Sequence, residues 1–342
     1  MKVLITGGAG FIGCNIARFY LEKKAEVIIL DNLSRKGARE NIEWLTTLGK
    51  IEFFDQDICD FEGLREKIFA ARDADIIFHM AAQVAVTTSV TDPRSDFDAN
   101  ALGTFNLLES IRLSGGDPVI IFASTNKVYG EMTDLEVIED GGRYQYKDMP
   151  QGIGETRQLD FHSPYGCSKG SADQYIIDYS RIYGLKTVCA RQSCIYGPRQ
   201  FGVEDQGWVA WFTISAALGK PVTIYGDGKQ VRDVLHVDDL VGFFHAAYEN
   251  IDKVKGMAFN IGGGPGNQMS LLELLTFLEE KTGSKIDRTF TDWRPGDQKI
   301  YVSDIGKVKD CLGWEPKIDR DKGVQLLWDW VNDNKETFKA VL

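Results

Sequence analysis

No run of about 18 apolar residues, the length a bilayer-spanning helix needs, occurs in this chain of 342 residues. Lys2 leads straight into strand-like residues rather than into the apolar centre of a secretory leader, so neither a membrane span nor an export signal is expected. Basic blocks are missing too, and a net charge of −11 argues against nucleic acid as a partner. That charge does not exclude an anionic small ligand, which a few buried arginines can hold locally. None of the six cysteines (Cys14, Cys59, Cys167, Cys189, Cys194 and Cys311) falls in a C-x-x-C pair, and several lie inside expected strands or helices. Such usage speaks against a zinc site or a disulfide scaffold and for a reducing, cytoplasmic setting. Neither a repeat nor a low-complexity linker divides the sequence. What is left is an acidic chain long enough for one large core, or for a large lobe and a smaller one.

The opening stretch MKVLITGGAGFIGC organises the rest. Val3 to Ile5 reads as a buried strand, and Phe11 to Leu21 has helical periodicity. Between them Gly7, Gly8, Gly10 and Gly13 satisfy both G-x-G-x-x-G and the longer G-x-x-G-x-x-G spacing. Glycines there permit a tight turn and close approach of phosphate to backbone, and the helix N-terminus offers unpaired N–H groups to a pyrophosphate. A second strand, Val27 to Leu30, ends at Asp31, 18 residues beyond Gly13. A carboxylate there is placed to grip the two ribose hydroxyls of NAD. Arg35 and Lys36 nearby keep NADP as the alternative.

Strands at 51–54, 75–79, 119–122 and 187–191 then alternate with helices at 38–48, 61–71, 95–111 and 167–183. This predicts a doubly wound parallel sheet of Rossmann type, with ligands beyond the carboxyl ends of its strands. Asp57 and Ile58, at the exit of the third strand, are placed to meet an adenine edge. The small Ala81 and Ala82 let a dinucleotide lie near the backbone, and the Asn100 amide is expected to tie the cofactor loops together. His79 reads as a structural core histidine. Ser124, Thr125 and Asn126 fall at the ligand edge. Residues 131–162 show no clear periodicity and read as a substrate-covering insertion or as surface decoration. Residues 1–197 are therefore assigned to a dinucleotide-binding domain. Residues 198–342 are assigned mainly to a smaller mixed α/β lobe with an interleaved boundary, with helices at 208–218, 240–250, 271–282 and 324–332 and strands at 222–225, 258–261 and 286–291.

The sharpest chemical signal is Tyr165-Gly-Cys-Ser-Lys169, preceded by Pro164. A spacing of four puts both side chains on one helix face. A free phenol, with a pKa near ~10, is a poor base at neutral pH. A lysine ammonium on one side and the positive nicotinamide ring on the other are expected to lower that value. Tyr165 would then take the proton from a sugar hydroxyl while the adjacent carbon gives up hydride. Lys169 would also hold the nicotinamide ribose, and Thr125 would bond the same alcohol.

Together these segments resemble the extended short-chain dehydrogenase/reductases of the nucleotide-sugar epimerase and dehydratase group. TGGAGFIG from residue 6, DNL at 31, HMAAQ at 79, STNKVYG at 124, YGCSK at 165, YGP at 196, RDVLHVDD at 232 and RPGD at 294 carry the likeness in the expected order. The resemblance implies catalysis by Thr125, Tyr165 and Lys169. It implies NAD held by Gly7, Gly10, Phe11, Ile12, Gly13, Asp31, Asn32, Asp57, Ile58, Ala81, Asn100, Ser124, Tyr165 and Lys169. Arg232 and Arg294 would bind the diphosphate of a nucleotide-sugar, with Thr125, Asn126 and Arg199 as further substrate contacts, and no metal is expected. Members commonly pair through the helices that here span 95–111 and 167–183, giving a homodimer or homotetramer.

The group's 4,6-dehydratases carry an Asp-Glu pair directly after the catalytic threonine, to remove a hydroxyl and a neighbouring proton. Asn126 and Lys127 stand there instead, which disfavours dehydration on chemical grounds. Epimerisation by transient oxidation and re-reduction remains. The segments 82–109, 124–130 and 162–175 resemble the CDP-paratose (CDP-tyvelose) 2-epimerase subgroup more than the UDP-glucose 4-epimerases. C2 and C4 chemistry need the same residues, so the resemblance alone separates them, and it alone names cytosine. A non-catalytic NAD-binding interaction protein is the reading from another class, and the complete Thr125, Tyr165 and Lys169 set speaks against it.

Overall fold

The computed structural model describes residues 1–294 and 297–341, so the middle of the RPGD segment lies outside the described residues. At its centre lie seven parallel strands in the spatial order Met257–Ile261, Lys186–Gln192, Val119–Thr125, Ile76–His79, Lys2–Thr6, Glu26–Asp31, Ile51–Asp55. Alternate residues feed two cores. Val3, Ile5 and Phe78 pack on one side with Cys14 and Tyr20 of the helix Phe11–Glu22, while Leu4, Ile77 and Phe122 pack on the other with Leu107 and Ile176. Burial on both faces explains why these strands read as unbroken apolar runs. Strand order reverses at Lys2–Thr6, so the connections diverge there and leave a crevice beyond the strand ends.

The second lobe is smaller. Val231–His236 pairs antiparallel with Gln268–Ser270 and parallel with both Ile300–Tyr301 and Cys194–Tyr196. A separate parallel pair joins Val222–Tyr225 to Arg288–Thr291. The helices Trp208–Ala217, Leu271–Thr282 and Arg320–Asp333 bury Phe212, Leu275, Leu278, Leu327 and Val331 against these strands. Met257–Ile261 does not stay in this lobe; it returns to become an edge strand of the large sheet. Among the described residues no helix is long and apolar enough to cross a membrane. All six cysteines are free, Cys14 and Cys189 buried, Cys59 and Cys167 exposed.

Among the elements that differ from the expectations, three bear on the first lobe. The helix expected at 95–111 is instead Pro93–Phe97, a π-helical turn Asp98–Leu102, and Gly103–Ser114. Such a turn inserts one residue and shifts the helical phase, while the stretches on either side keep helical spacing of their own, so a single helix is read across it. The stretch 131–162 contains a hairpin, Val137–Asp140 with Arg143–Tyr146, closed by Gly141-Gly142 with both φ values positive. That is the two-residue turn which only glycine-like residues form cheaply. Finally, the helix that carries Tyr165 and Lys169 starts at Ser163 rather than 167, with Pro164 in its first turn, and ends at Gly184 in the left-handed region.

Candidate active site

The first loop makes a cradle. Gly7, at φ 69°, leaves no room for a side chain, because a Cβ there would stand 2.5 Å from the Ala81 nitrogen. Gly10 caps the helix Phe11–Glu22 with no side-chain hydrogen bond, so its first N–H groups point into the cradle uncapped by protein side chains. This geometry fits a pyrophosphate. At the end of the second strand the Asp31 carboxylate accepts from the N–H groups of Ala9 (3.0 Å) and Leu33 (2.8 Å). Burial raises its pKa, and those two bonds oppose the rise. Asn32 Nδ2 donates 2.9 Å to Asp57. Burial pushes the Asp57 carboxyl up, but the Cys59 N–H and the Asn32 amide bring it net below the ordinary range.

Gly7, Gly10, Phe11, Ile12, Gly13, Asp31, Asn32, Asp57, Ile58, Ala81, Ser124, Tyr165 and Lys169 all line one cleft of about 780 Å³. Asn100 sits behind that wall. Its Oδ1 accepts from the Gln83 N–H at 3.0 Å, and its Nδ2 donates to Asp96 and to Ser168, both at 3.1 Å. It ties the loop after the fourth strand to the helix bearing Tyr165 and Lys169, and the π-helical turn is what aims it there. Beside it His79 lies between Thr6 Oγ1 (2.7 Å) and Thr104 Oγ1 (2.9 Å), fully buried. Burial drives its pKa down to about 3, which fits a neutral structural imidazole.

Tyr165 and Lys169 are both buried and line the cleft. The Lys169 ammonium donates 2.6 Å to the Ala123 carbonyl and lies 4.2 Å over the Phe122 ring, and burial lowers its pKa to about 8. The Tyr165 phenol hydrogen-bonds with Thr125. In the protein alone its pKa stands up at about 12, raised by burial and by Asp96, against the lowering from Thr125. Lys169 is not among the groups that act on the phenol in the protein alone, so the lowering expected from it is not delivered by the chain itself. The Ser124 hydroxyl donates 2.7 Å to Asp173, which also holds Arg191 at 2.9 Å.

The residues assigned to substrate are dispersed. Arg232 donates 2.9 Å to Asp297 in the second lobe. Arg294 lies 3.7 Å over the Tyr225 ring and 3.0 Å from Asp205. Arg199 instead stacks 4.0 Å over Trp44 in the first lobe and lines the dinucleotide cleft, so the structure does not gather it with the other two. Thr125 donates 3.4 Å to Asn126 and accepts from the Lys127 N–H at 3.2 Å. The Lys127 side chain is drawn to Gln298 Oε1 at 3.3 Å, and burial followed by the nearby Arg232 lowers its pKa to about 8. Sequence reasoning missed Gln192, Gln200 and Gln206, which also line the cleft. The rule that ligands meet strand ends was enough to flag Gln192, the last residue of its strand.

A doubly wound sheet, a glycine cradle at its switch point and a Tyr-Lys pair lining the same cleft define an extended short-chain dehydrogenase/reductase, an NAD(H)-binding enzyme of nucleotide-sugars. The GDP-mannose 4,6 dehydratase family matches residues 4–327, and the chain belongs to that family. It is 48% identical over 339 residues to a CDP-paratose 2-epimerase of Salmonella typhi, covering 97% of this chain and 99% of that protein. Among solved structures it resembles the UDP-glucose 4-epimerase of Thermotoga maritima with UDP-glucose (34% identical, TM-score 0.83, 98% and 99% of the two chains). It also resembles the UDP-glucose 4-epimerase of Thermus thermophilus in complex with NAD (34% identical, TM-score 0.81, 97% and 99%).

Proposed function

We propose that this NAD-dependent nucleotide-sugar epimerase inverts C2 of CDP-paratose to give CDP-tyvelose. The likeness to the Salmonella typhi enzyme supports that substrate. The observation that carries the chemistry is the buried Tyr165 phenol, bonded to Thr125 and one helical turn from Lys169, lining the dinucleotide cleft. NAD, when bound, would supply the acceptor, and then the donor, of the hydride at the reacting carbon. Tyr165 takes the hydroxyl proton as the C–H bond breaks, and Thr125 steadies the same oxygen as it becomes a carbonyl. The keto-sugar then presents its other face, and Tyr165 gives the proton back as the new C–H bond forms. Lys169 holds the nicotinamide ribose and supplies positive charge beside the phenolate. Gly7, Gly10 and Gly13 receive the pyrophosphate, and Asp31 takes the adenosine ribose.

In this reading residues 1–197 bind the dinucleotide, and residues 198–342, apart from the returning strand, bind the nucleotide-sugar. Arg232 and Arg294 face its diphosphate, as charge-assisted guanidinium contacts suit. Asn126 and Lys127 in place of an Asp-Glu pair support epimerisation over dehydration. The enzyme works in the cytoplasm, and its product serves a lipopolysaccharide O-antigen. A homodimer is supported by exposed apolar residues on the two paired helices: Phe105 and Leu113 on Gly103–Ser114, with Tyr175, Ile182 and Tyr183 on Ser163–Tyr183. The test is incubation with CDP-paratose and, separately, with UDP-glucose, reading the inverted carbon by NMR. Inversion at C2 is expected; inversion only at C4 of UDP-glucose would replace this substrate with the 4-epimerase one.

A further inference from the structure

The mechanism above leaves one buried group beside the reacting pair unused. Gln192 is 8% exposed and lines the same cleft as Ala123, Tyr165 and Lys169. Its Nε2 is closed off from solvent and has no hydrogen-bond partner among the described residues. In the parallel register Gln192 is the partner of Thr125 on the neighbouring strand, so the two side chains leave the sheet on the same side. Its position is pinned from behind. The next N–H, that of Ser193, donates 2.9 Å to the Ile261 carbonyl, and the Ser193 hydroxyl donates to the Asp233 carboxylate.

A buried amide donor needs an acceptor, because leaving it unpaired forfeits the hydrogen bonds that water would make. Thr125 already defines where the reacting alcohol lies. A donor one strand over, on the same side, meets whatever oxygen flanks that alcohol on the same ring. We propose that Gln192 is a specificity residue, donating through Nε2 to an oxygen of the bound hexose next to the reacting carbon. It thereby selects which secondary alcohol is presented to Thr125 and Tyr165. This rests on the reading of Thr125 and Tyr165 as the reacting pair and deepens it.

The experiment uses the holoenzyme, Gln192→Leu, and Gln192→Glu, which keeps the shape and loses the donor. Each is titrated calorimetrically with CDP-paratose and with CDP, which lacks the hexose, and the bound NAD is measured. Both variants are expected to bind CDP-paratose about tenfold more weakly, the scale of one hydrogen bond to a buried donor, with CDP affinity and NAD content at wild-type levels. Unchanged affinity for CDP-paratose would overturn the proposal. So would an equal loss for CDP, or a loss of NAD, either of which would place Gln192 against the nucleotide or the cofactor. If the wild type does not turn over CDP-paratose, the substrate proposed above is at fault. The same comparison with UDP-glucose and UDP then decides the role of Gln192.

Discussion

Gly13 stands so close to Gly7 that a Cβ on it would meet the Gly7 carbonyl oxygen at 2.2 Å. Even alanine must therefore push the loop out of shape at the point where N–H groups converge. Gly13→Ala is expected to weaken NAD binding by roughly 100-fold or more, the equivalent of losing two charge-assisted contacts. Release of NAD on denaturation, quantified by absorbance after chromatography, checks this. A variant that purifies with full NAD content would show that the cradle does not carry the pyrophosphate.

The Tyr165 hydroxyl is the one atom whose removal separates chemistry from binding. Tyr165→Phe keeps the ring among its buried neighbours and deletes the proton acceptor. Turnover is expected to fall by roughly 10²- to 10⁴-fold, the usual worth of a general base, while NAD content and sugar affinity stay near wild type. Turnover within a few fold of wild type would remove Tyr165 from that role.

How much of this could be read without coordinates depended on whether the signal was local. Glycine spacing, strand exits and Tyr-x-x-x-Lys depend on neighbours in sequence, and most of the residues they pointed to, though not Gly8, Thr125 or Asn126, line one cleft. The helix Leu271–Thr282 has the bounds its periodicity predicted, because a Ser270–Glu273 capping box and Gly283 mark its two ends. The hairpin at 137–146 escaped because its strands are half-exposed and polar, although Asp-Gly-Gly-Arg is a turn signal in its own right. Balances between opposing energies were not legible. Whether Lys169 lowers the Tyr165 pKa depends on how deeply both are buried, and burial belongs to the fold rather than to the spacing. Arg199 shows the same limit: proximity to YGP in sequence gave no hint that Trp44 would hold it.

Burial holds the Lys169 pKa at about 8, so the ammonium is lost as pH rises through that value. A positive charge beside the phenolate is needed for proton abstraction, so turnover is expected to decline above about pH 8. Lys169→Arg retains a charge that does not titrate in this range. Its residual turnover, though lower, is expected to show no decline up to pH 10. A pH profile of kcat for both proteins is the measurement, and an unchanged alkaline limb in Lys169→Arg would assign that limb to another group.

His79 makes a prediction about stability instead of rate. Its pKa is about 3 in the folded protein, against about 6.5 for a free imidazole. Between those values the unfolded chain takes up a proton that the folded chain refuses, so stability must fall as pH drops below about 6.5. At pH 5 the loss from this one residue is about 2 kcal/mol relative to neutral pH. Replacing it by Gln, which still offers a donor and an acceptor to Thr6 and Thr104, removes the titration. The Gln variant is expected to be less stable than wild type at pH 7.5, because its amide cannot match the ring that stacks on Phe122. The gap should then narrow by about 2 kcal/mol at pH 5, as wild type alone acquires the His79 term. Urea unfolding of both proteins at the two pH values measures it. A gap that stays constant would mean that the imidazole is protonated in the fold, with Thr6 Oγ1 and Thr104 Oγ1 acting as acceptors on its two sides.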